Sequence, residues 1–395
     1  MPPAVYVHIG AFKTGTSFVQ SRLWSRRAEL AADGVLFPGE HGWGDQVRAL
    51  SHLAGRPDNH GQPVPAEPWH EMVTAIRDWP GRAAVLSFEF LSLLRPRTVR
   101  RLVEELSPAD VHVVLTARDL VRVVPAMWQE VLQGGQTWSW AQYCATVTSA
   151  VGRNVPPGRG FWRGQDLPGI VRRWAPAVPV QRIHVVTVPP AGAPREELWR
   201  RFSLAVGIAS SETGGAPPDD RPGGQGLPNE SLDAASTELM RRINLAVEGR
   251  MSRETYDKVL KFYVAKTVLA ARAGPDRVSL SAEHVRWARE RGAQMAADLR
   301  RLGVDVVGDL DDLVGSDVLA VSSEPQPDEV LQAAIAVIEA LARRVGDPRR
   351  RAGAAPVPAA PVDAPEPTPS DQPEVTIGSR PVSRLVRTAY ERVRR

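Results

Sequence analysis

The sequence predicts an α/β fold, a doubly wound parallel sheet with helices on both faces. Short runs that are almost continuously apolar indicate strands buried on both faces, at residues 4–9, 83–88, 111–116 and 182–188. Helical patterns alternate with these strands, at residues 17–33, 68–79, 98–106 and 169–175. Two polar, glycine-rich segments, 39–66 and 133–168, are long for connections, so we expect them to carry substrate-binding structure.

The composition excludes several classes of protein. The chain has 395 residues and a net charge of +4, which is too small to indicate nucleic-acid binding by charge alone. Its single cysteine, Cys144, excludes an internal disulfide framework and a cysteine-based zinc site. No signal peptide is recognised at the N-terminus, and no run approaches the ~18 apolar residues of a membrane span. We therefore expect a cytoplasmic protein without a transmembrane segment.

The order of patterns along the chain predicts four parts. Residues 1–320 are expected to form the α/β domain, and 321–346 an amphipathic helix. Residues 347–380 form a Pro/Ala-rich linker with the composition of a disordered tail. Residues 381–395 form a short basic amphipathic segment, a candidate for weak contact with an anionic membrane surface or a partner protein. A solvated tail is the alternative for this last segment.

The most informative stretch is GAFKTGTS, residues 10–17, between the first predicted strand and the first predicted helix. Gly10 and Gly15 have the separation of a phosphate-binding loop, G-x-x-x-x-G-K-[ST], in which backbone N–H groups converge on an anion. The position of the usual lysine holds Thr16, and Lys13 instead precedes the second glycine. Of the 49 basic residues only four are lysines, so Lys13 stands out in a chain that otherwise uses arginine.

The loop disfavours a P-loop kinase or nucleotide triphosphatase. A lysine in the usual place reaches the β- and γ-phosphates, and a strand-end aspartate helps to hold magnesium. Here the lysine is displaced, and the strand at 83–88 is followed by Glu89. A metal-free cradle for one anionic group, with a cation at the scissile oxygen, suits sulfuryl transfer better than phosphoryl transfer.

The stretch HIGAFKTGTS resembles the 5′-phosphosulfate loop of the sulfotransferases, with Phe12 in place of the usual proline. A second motif of that family, an arginine after a later strand, is matched by Arg118, although the serine expected eight residues on is Ala126. Further blocks are similar to those of actinobacterial sulfotransferase-like proteins, and the resemblance covers about residues 4–315. It implies a P-loop NTPase-like sulfotransferase fold.

The resemblance also implies a donor, 3′-phosphoadenosine 5′-phosphosulfate (PAPS), and no metal. Lys13 would stabilise charge on the bridging oxygen as the sulfuryl group leaves, and Arg118 would bind the 3′-phosphate. Arg122 is the candidate to compensate for the missing serine. The remaining donor-binding residues are those of the loop and the helix start: Gly10, Thr14, Gly15, Thr16 and Ser17.

In-line attack by an acceptor needs a base within hydrogen-bond reach, and the family does not decide which residue serves. Glu89 is the first candidate, because it follows a buried strand at the edge of the sheet where such folds bind ligands. His41, on a glycine-rich loop, is the second. His8, within the first strand, is interpreted as a packed core histidine.

The expected function is therefore sulfuryl transfer from PAPS to a hydroxyl or amine of a glycan, lipid or secondary metabolite. A sulfotransferase fold that has lost catalysis and serves as a binding or scaffold protein is the alternative, since Ala126 replaces the motif serine.

Overall fold

The computed structural model describes residues 2–40, 42–58, 61–208, 231–272, 277–316 and 325–346. Its first compact unit extends to Arg344; the second, Val345–Arg395, contains only two described residues. The predicted linker, the basic segment and the candidate base His41 thus lie outside the described residues.

The sheet has six strands, all parallel, in the order β2-β3-β1-β4-β5-β6. The strands are β1 Ala4–His8, β2 Val35–Leu36, β3 Ala83–Ser87, β4 Asp110–Ala117, β5 Ile183–Thr187 and β6 Asp305–Val307. The four predicted strands are confirmed. The sequence did not indicate β2 and β6, which are two and three residues long and lie at the two edges.

The helices in chain order are α1 Thr16–Ser25, α2 Arg27–Ala32, α3 Trp43–Leu53, α4 Glu67–Asp78, α5 Pro96–Glu105, α6 Leu120–Gln133, α7 Trp140–Thr148, α8 Gly158–Gln165, α9 Leu167–Trp174, α10 Glu196–Ala205, α11 Ala234–Val247, α12 Arg253–Thr255, α13 Ala282–Leu302 and α14 Pro327–Gly346. A π-helical segment, Tyr256–Leu269, continues α12. Short 3₁₀ turns lie at Glu89–Leu93, Val151–Asn154, Val180–Arg182 and Leu310–Leu313.

The prediction of one helix over 17–33 was wrong, because the chain forms α1 and α2 with a break at Arg26. The side chains at the break favour it. Arg27 stacks on Trp24, 4.1 Å from the ring centre, and its Nη1 donates to the carbonyl oxygen of Trp24 at 3.3 Å. This contact satisfies an oxygen that a continuous helix would pair with the backbone of residue 28.

Both faces of the sheet are buried, which confirms the doubly wound α/β architecture. Val5 and Val7 of β1 and Val113 of β4 belong to one hydrophobic cluster, whereas Val114 of β4 belongs to another. Since neighbouring residues of a strand point to opposite faces, these are two layers of core. The helices α3 to α9 and α13 contribute to the first layer, and α1, α2 and α10 to the second.

A third hydrophobic cluster joins α11, the π-helical segment and α14. On α14, which was predicted as an amphipathic helix, Val330, Ala333 and Val337 face this cluster. The helix therefore packs within the first compact unit up to Arg344.

The strand order changes direction at β1, which pairs with β3 on one side and with β4 on the other. In open α/β sheets, ligands bind beyond the carboxyl ends of the strands at such a point. The loop after β1, which contains Lys13, occupies this place.

Candidate functional site

The loop between β1 and α1 is built on backbone conformations that few residues adopt. Gly10, Lys13 and Gly15 have φ angles of +67°, +63° and +84°. Glycine adopts such angles without strain, whereas a residue with a Cβ does so at a cost. Pairing with β4 continues past the strand end, as the backbone N–H of Ala11 donates to Thr116 O at 2.8 Å. The loop is therefore tightly held and presents Lys13 at its crest.

Both glycines of the loop are also needed for close packing. A Cβ at Gly10 would lie 2.9 Å from the Cβ of Glu89, and one at Gly15 would lie 2.5 Å from Cδ2 of Leu198. The loop thus lies directly against the turn that follows β3 on one side and against α10 on the other. This contact brings Glu89 beside the predicted phosphate loop.

The start of α1 offers backbone donors. No side chain caps this ten-residue helix and no acidic residue lies in its first turn. Among the described residues, the backbone N–H groups of Thr14, Gly15 and Thr16 donate to no backbone or side-chain acceptor. Unpaired N–H groups at a helix N-terminus attract anions. Ser17, the last predicted contributor, follows on the exposed surface of α1.

The Thr14 side chain is held within the protein. It is fully buried, its hydroxyl donates to Ala11 O at 2.7 Å, and it lies 2.6 Å from Thr116 Oγ1. Its hydroxyl therefore fastens the loop to β4, and only its backbone N–H remains available to a ligand.

A buried polar network at the base of the loop joins β1 to β3, β4 and α1. His8 Nδ1 lies 2.8 Å from Ser87 Oγ and its Nε2 lies 3.3 Å from Thr116 Oγ1. Gln20 of α1 donates to the same Ser87 hydroxyl at 3.2 Å. Burial lowers the pKa of His8 to about 3, so the ring is neutral. The interpretation of His8 as a core histidine is confirmed.

Lys13 is held by a carboxylate that the sequence analysis did not single out. Its Nζ donates to Oε2 of Glu130 on α6 at 2.6 Å, and about 29% of its side chain is exposed. Burial acts to raise the pKa of Glu130, but Lys13, Lys266 and Lys261 together outweigh it and lower that pKa. The charges of three of the four lysines of the chain thus act on the Glu130 carboxylate, and Lys13 is the one in contact with it.

The two predicted arginines at the start of α6 differ in how they are engaged. Arg122 contacts the carboxylate of Asp119, which caps α6, and donates to Pro189 O at 2.9 Å. Arg118 makes one hydrogen bond, from Nη1 to Lys13 O at 3.2 Å, and its buried Nε has no partner within the described residues. A buried polar atom without a partner is a place where a ligand fits.

The guanidinium charge of Arg118 is partly desolvated. Desolvation, reinforced by Arg122 and opposed by Asp119, lowers its pKa to about 10. The guanidinium remains charged at neutral pH, and an anion beside it would relieve both the desolvation and the unpaired Nε. Arg118 therefore fits a phosphate-binding role better than Arg122, whose charge is already paired.

Glu89 begins the 3₁₀ turn Glu89–Leu93 directly after β3. The hydroxyl of Ser92 donates to its backbone oxygen at 2.7 Å, which fixes the turn. Its carboxylate receives only a long hydrogen bond, from Nε2 of Gln20 at 3.4 Å. No cation among the described residues lies within ion-pair distance of it. The Glu89 carboxylate is thus only loosely held beside the loop.

The segment 133–168 forms α7 and α8, and it braces the loop. Nε2 of Gln165 donates to Phe12 O at 2.8 Å, and Gly164 lies so close to the Phe12 ring that a Cβ would come within 2.7 Å of it. Trp162 is buried and donates to Val147 O at 2.9 Å, so it belongs to the core.

The described ranges lack two kinds of feature. They contain no group of three or more His, Cys, Asp or Glu side chains arranged to hold a metal ion. In the same part of the chain, no helix has the length and apolarity needed to cross a membrane.

Comparison with known proteins yields structural matches to three solved chains. No family profile and no curated protein sequence matches the chain. A crystal structure of a sulfotransferase from Alicyclobacillus acidocaldarius is similar over 55% of this chain and 87% of that chain, with 16% identity and a TM-score of 0.35. At this score the match carries no argument, and the α/β architecture rests on the strand order and burial described above.

Proposed function

We propose that this protein is a PAPS-dependent sulfotransferase that transfers a sulfuryl group to a hydroxyl or amine of an acceptor molecule. The observation that carries the proposal is the juxtaposition of three features at the end of β1. These are the unpaired N–H groups at the start of α1, the ammonium of Lys13 at the loop crest, and the buried Arg118 Nε without a partner.

Each feature corresponds to one part of the donor. The N–H groups from Thr14 to Thr16 would hold the 5′-phosphate, and Arg118 the 3′-phosphate. Lys13 would stabilise negative charge on the bridging oxygen as the bond to sulfur breaks, an effect worth about 10²–10³ in rate for one such donor. PAPS supplies the activated sulfuryl group.

Glu89 is proposed as the base that accepts the proton of the acceptor hydroxyl. It lies against Gly10, and no cation of the described residues lies within ion-pair distance of its carboxylate. The new bond joins the acceptor oxygen to sulfur, the sulfur–oxygen bond of the donor breaks, and adenosine 3′,5′-bisphosphate leaves. The acceptor class, a glycan, lipid or secondary metabolite, follows from the family resemblance.

The proposal is tested by calorimetric titration with adenosine 3′,5′-bisphosphate in the absence of magnesium. We expect micromolar binding that is weakened at least ~10-fold, about 1.4 kcal/mol, in both Lys13→Ala and Arg118→Ala. Arg97→Ala, an exposed arginine of α5, is the matched control and should bind like the wild type.

The comparison ligand is ATP with magnesium, which should bind much more weakly. Tighter binding of ATP would favour a kinase or triphosphatase. Bisphosphate binding without transfer to any acceptor would favour a binding or scaffold protein. No binding of the bisphosphate would overturn the donor assignment.

A further inference from the structure

Arg56 is a cation fixed on an aromatic surface beside the proposed active site. It follows α3 within the segment 39–66, and its backbone N–H donates to Ser51 O at 2.9 Å. Its guanidinium carbon lies 3.5 Å from the centre of the Phe90 ring. Stacking of this kind holds a guanidinium in one orientation while its N–H edge stays accessible, and the side chain is exposed.

The aromatic surface connects Arg56 to the phosphate loop. The Phe90 ring meets the Phe12 ring edge-on, with 5.0 Å between centres, and also packs against Phe88 at 5.2 Å. Phe12 directly precedes Lys13, and Phe90 directly follows Glu89. Arg56 therefore occupies a fixed position relative to both the proposed reactive cation and the proposed base.

Apart from its stacking on Phe90, the guanidinium of Arg56 has no partner within the described residues. It donates no hydrogen bond there and forms no ion pair. Desolvation lowers the pKa of Arg56, while the charge of Glu89 acts in the opposite direction. A guanidinium that is held by stacking and has free N–H groups is suited to bind a carboxylate, sulfate or phosphate through two parallel hydrogen bonds.

We propose that Arg56 recognises an oxyanion on the acceptor, so that the substrates of this protein are anionic alcohols or amines rather than neutral ones. The oxyanion would bind the guanidinium of Arg56, and the nucleophile would reach Glu89. This inference rests on the proposed function in one respect, namely that the bound molecule is the acceptor of the sulfuryl group. The oxyanion site itself does not depend on it.

The first experiment titrates inorganic sulfate as the probe, with and without saturating adenosine 3′,5′-bisphosphate. When the bisphosphate occupies the loop, we expect sulfate to bind one remaining site, with at least ~10-fold weaker binding in Arg56→Ala. Arg56→Lys keeps the charge but loses the planar fork, so it should fall between the two. Arg97→Ala should bind sulfate like the wild type.

The second experiment asks whether an acceptor-like anion uses the same site. Methyl β-glucopyranosiduronate should displace sulfate, and the uncharged methyl β-glucopyranoside should not. Sulfate binding that is equal in the wild type and Arg56→Ala, or displacement by both sugars alike, would overturn the proposal. So would the absence of sulfate binding in the wild type.

Failure of the donor assignment and failure of the Arg56 proposal would give different results. If the bisphosphate does not bind, the donor assignment fails. The sulfate titration of the bisphosphate-free protein still compares Arg56→Ala with Lys13→Ala. Loss of sulfate binding in Lys13→Ala alone would place the anion in the loop and eliminate Arg56 as an oxyanion site.

Discussion

The two sides of the phosphate loop differ in whether their charges are already paired. On the α6 side, Lys13 donates to Glu130 at 2.6 Å and Arg122 contacts Asp119. On the β3 side, Glu89 receives one long hydrogen bond from Gln20 at 3.4 Å. The difference indicates that a ligand at Lys13 must displace Glu130 on the α6 side, whereas the Glu89 carboxylate on the β3 side has no close cation to give up.

The largest effect is expected from Glu89→Gln, on the β3 side of the loop. If Glu89 is the base, the turnover number should fall by about 10²–10⁴, because the amide accepts no proton at neutral pH. The dissociation constant of adenosine 3′,5′-bisphosphate, measured by calorimetry, should stay the same.

The matched control is Glu71→Gln, an exposed glutamate on α4, which should leave turnover intact. Normal turnover in Glu89→Gln would contradict the assignment. The next base to test would then be Glu130, and the contrast between the two sides would be reversed.

An intermediate effect, on stability, is expected from Asp119→Ala. This buried carboxylate accepts from the backbone N–H of Arg122 at 2.9 Å and pairs with its side chain. Its removal should lower the free energy of unfolding by about 3 kcal/mol, from loss of the helix cap and of a largely buried ion pair. Denaturant unfolding measures this loss.

Asp119→Asn separates the two contributions, because asparagine still caps a helix but carries no charge. We expect it to be less destabilising than Asp119→Ala. Equal unfolding free energies for the wild type and Asp119→Ala would show that the Asp119–Arg122 pair on the α6 side does not contribute to stability.

The smallest effect is expected from Glu130→Gln. Because the bisphosphate competes with Glu130 for Lys13, removing the carboxylate should tighten bisphosphate binding about fivefold, or ~1 kcal/mol. Glu130→Asp, which keeps the charge, should bind nearly like the wild type. Weaker binding in Glu130→Gln would show that Glu130 positions Lys13 for the donor instead of competing with it.

The difference in unfolding free energy between the wild type and Glu130→Gln should depend on pH. The pKa of Glu130 is lowered in the folded protein by Lys13, against the effect of burial. Its pairing therefore stabilises the fold above the ordinary glutamate pKa of about 4.3, and the stabilisation is lost as the pH falls through the lower folded value. The unfolding free energies of the wild type and Glu130→Gln should thus converge only in acid.

The sequence predicted the interior of the sheet better than its edges. The central strands are apolar runs that a parallel sheet buries on both faces, so their pattern is visible without the fold. By contrast, β2 and β6 have two and three residues, and they are strands only because β3 and β5 lie beside them. Such short strands leave no periodic signal.

The candidate site also has a part that the sequence predicted and a part that it did not. The spacing of Gly10, Lys13 and Gly15 is local, so the sequence analysis could identify the loop. The partner of Lys13 is 117 residues away, and its identity depends on how α6 packs. A weak signal existed, since Glu130 lies one helical turn after Ala126, the position where the family motif has a serine. Arg56 left no such signal.

The backbone at Lys13 has a consequence for engineering. An L-residue at φ +63° is less stable than glycine in that conformation, by roughly 1–2 kcal/mol. A library selected for heat resistance alone would therefore be drawn to glycine at position 13, and the selected clones would lose the ammonium on which the proposed chemistry depends. Selection for robustness should keep this position fixed, since here thermal stability and function favour different residues.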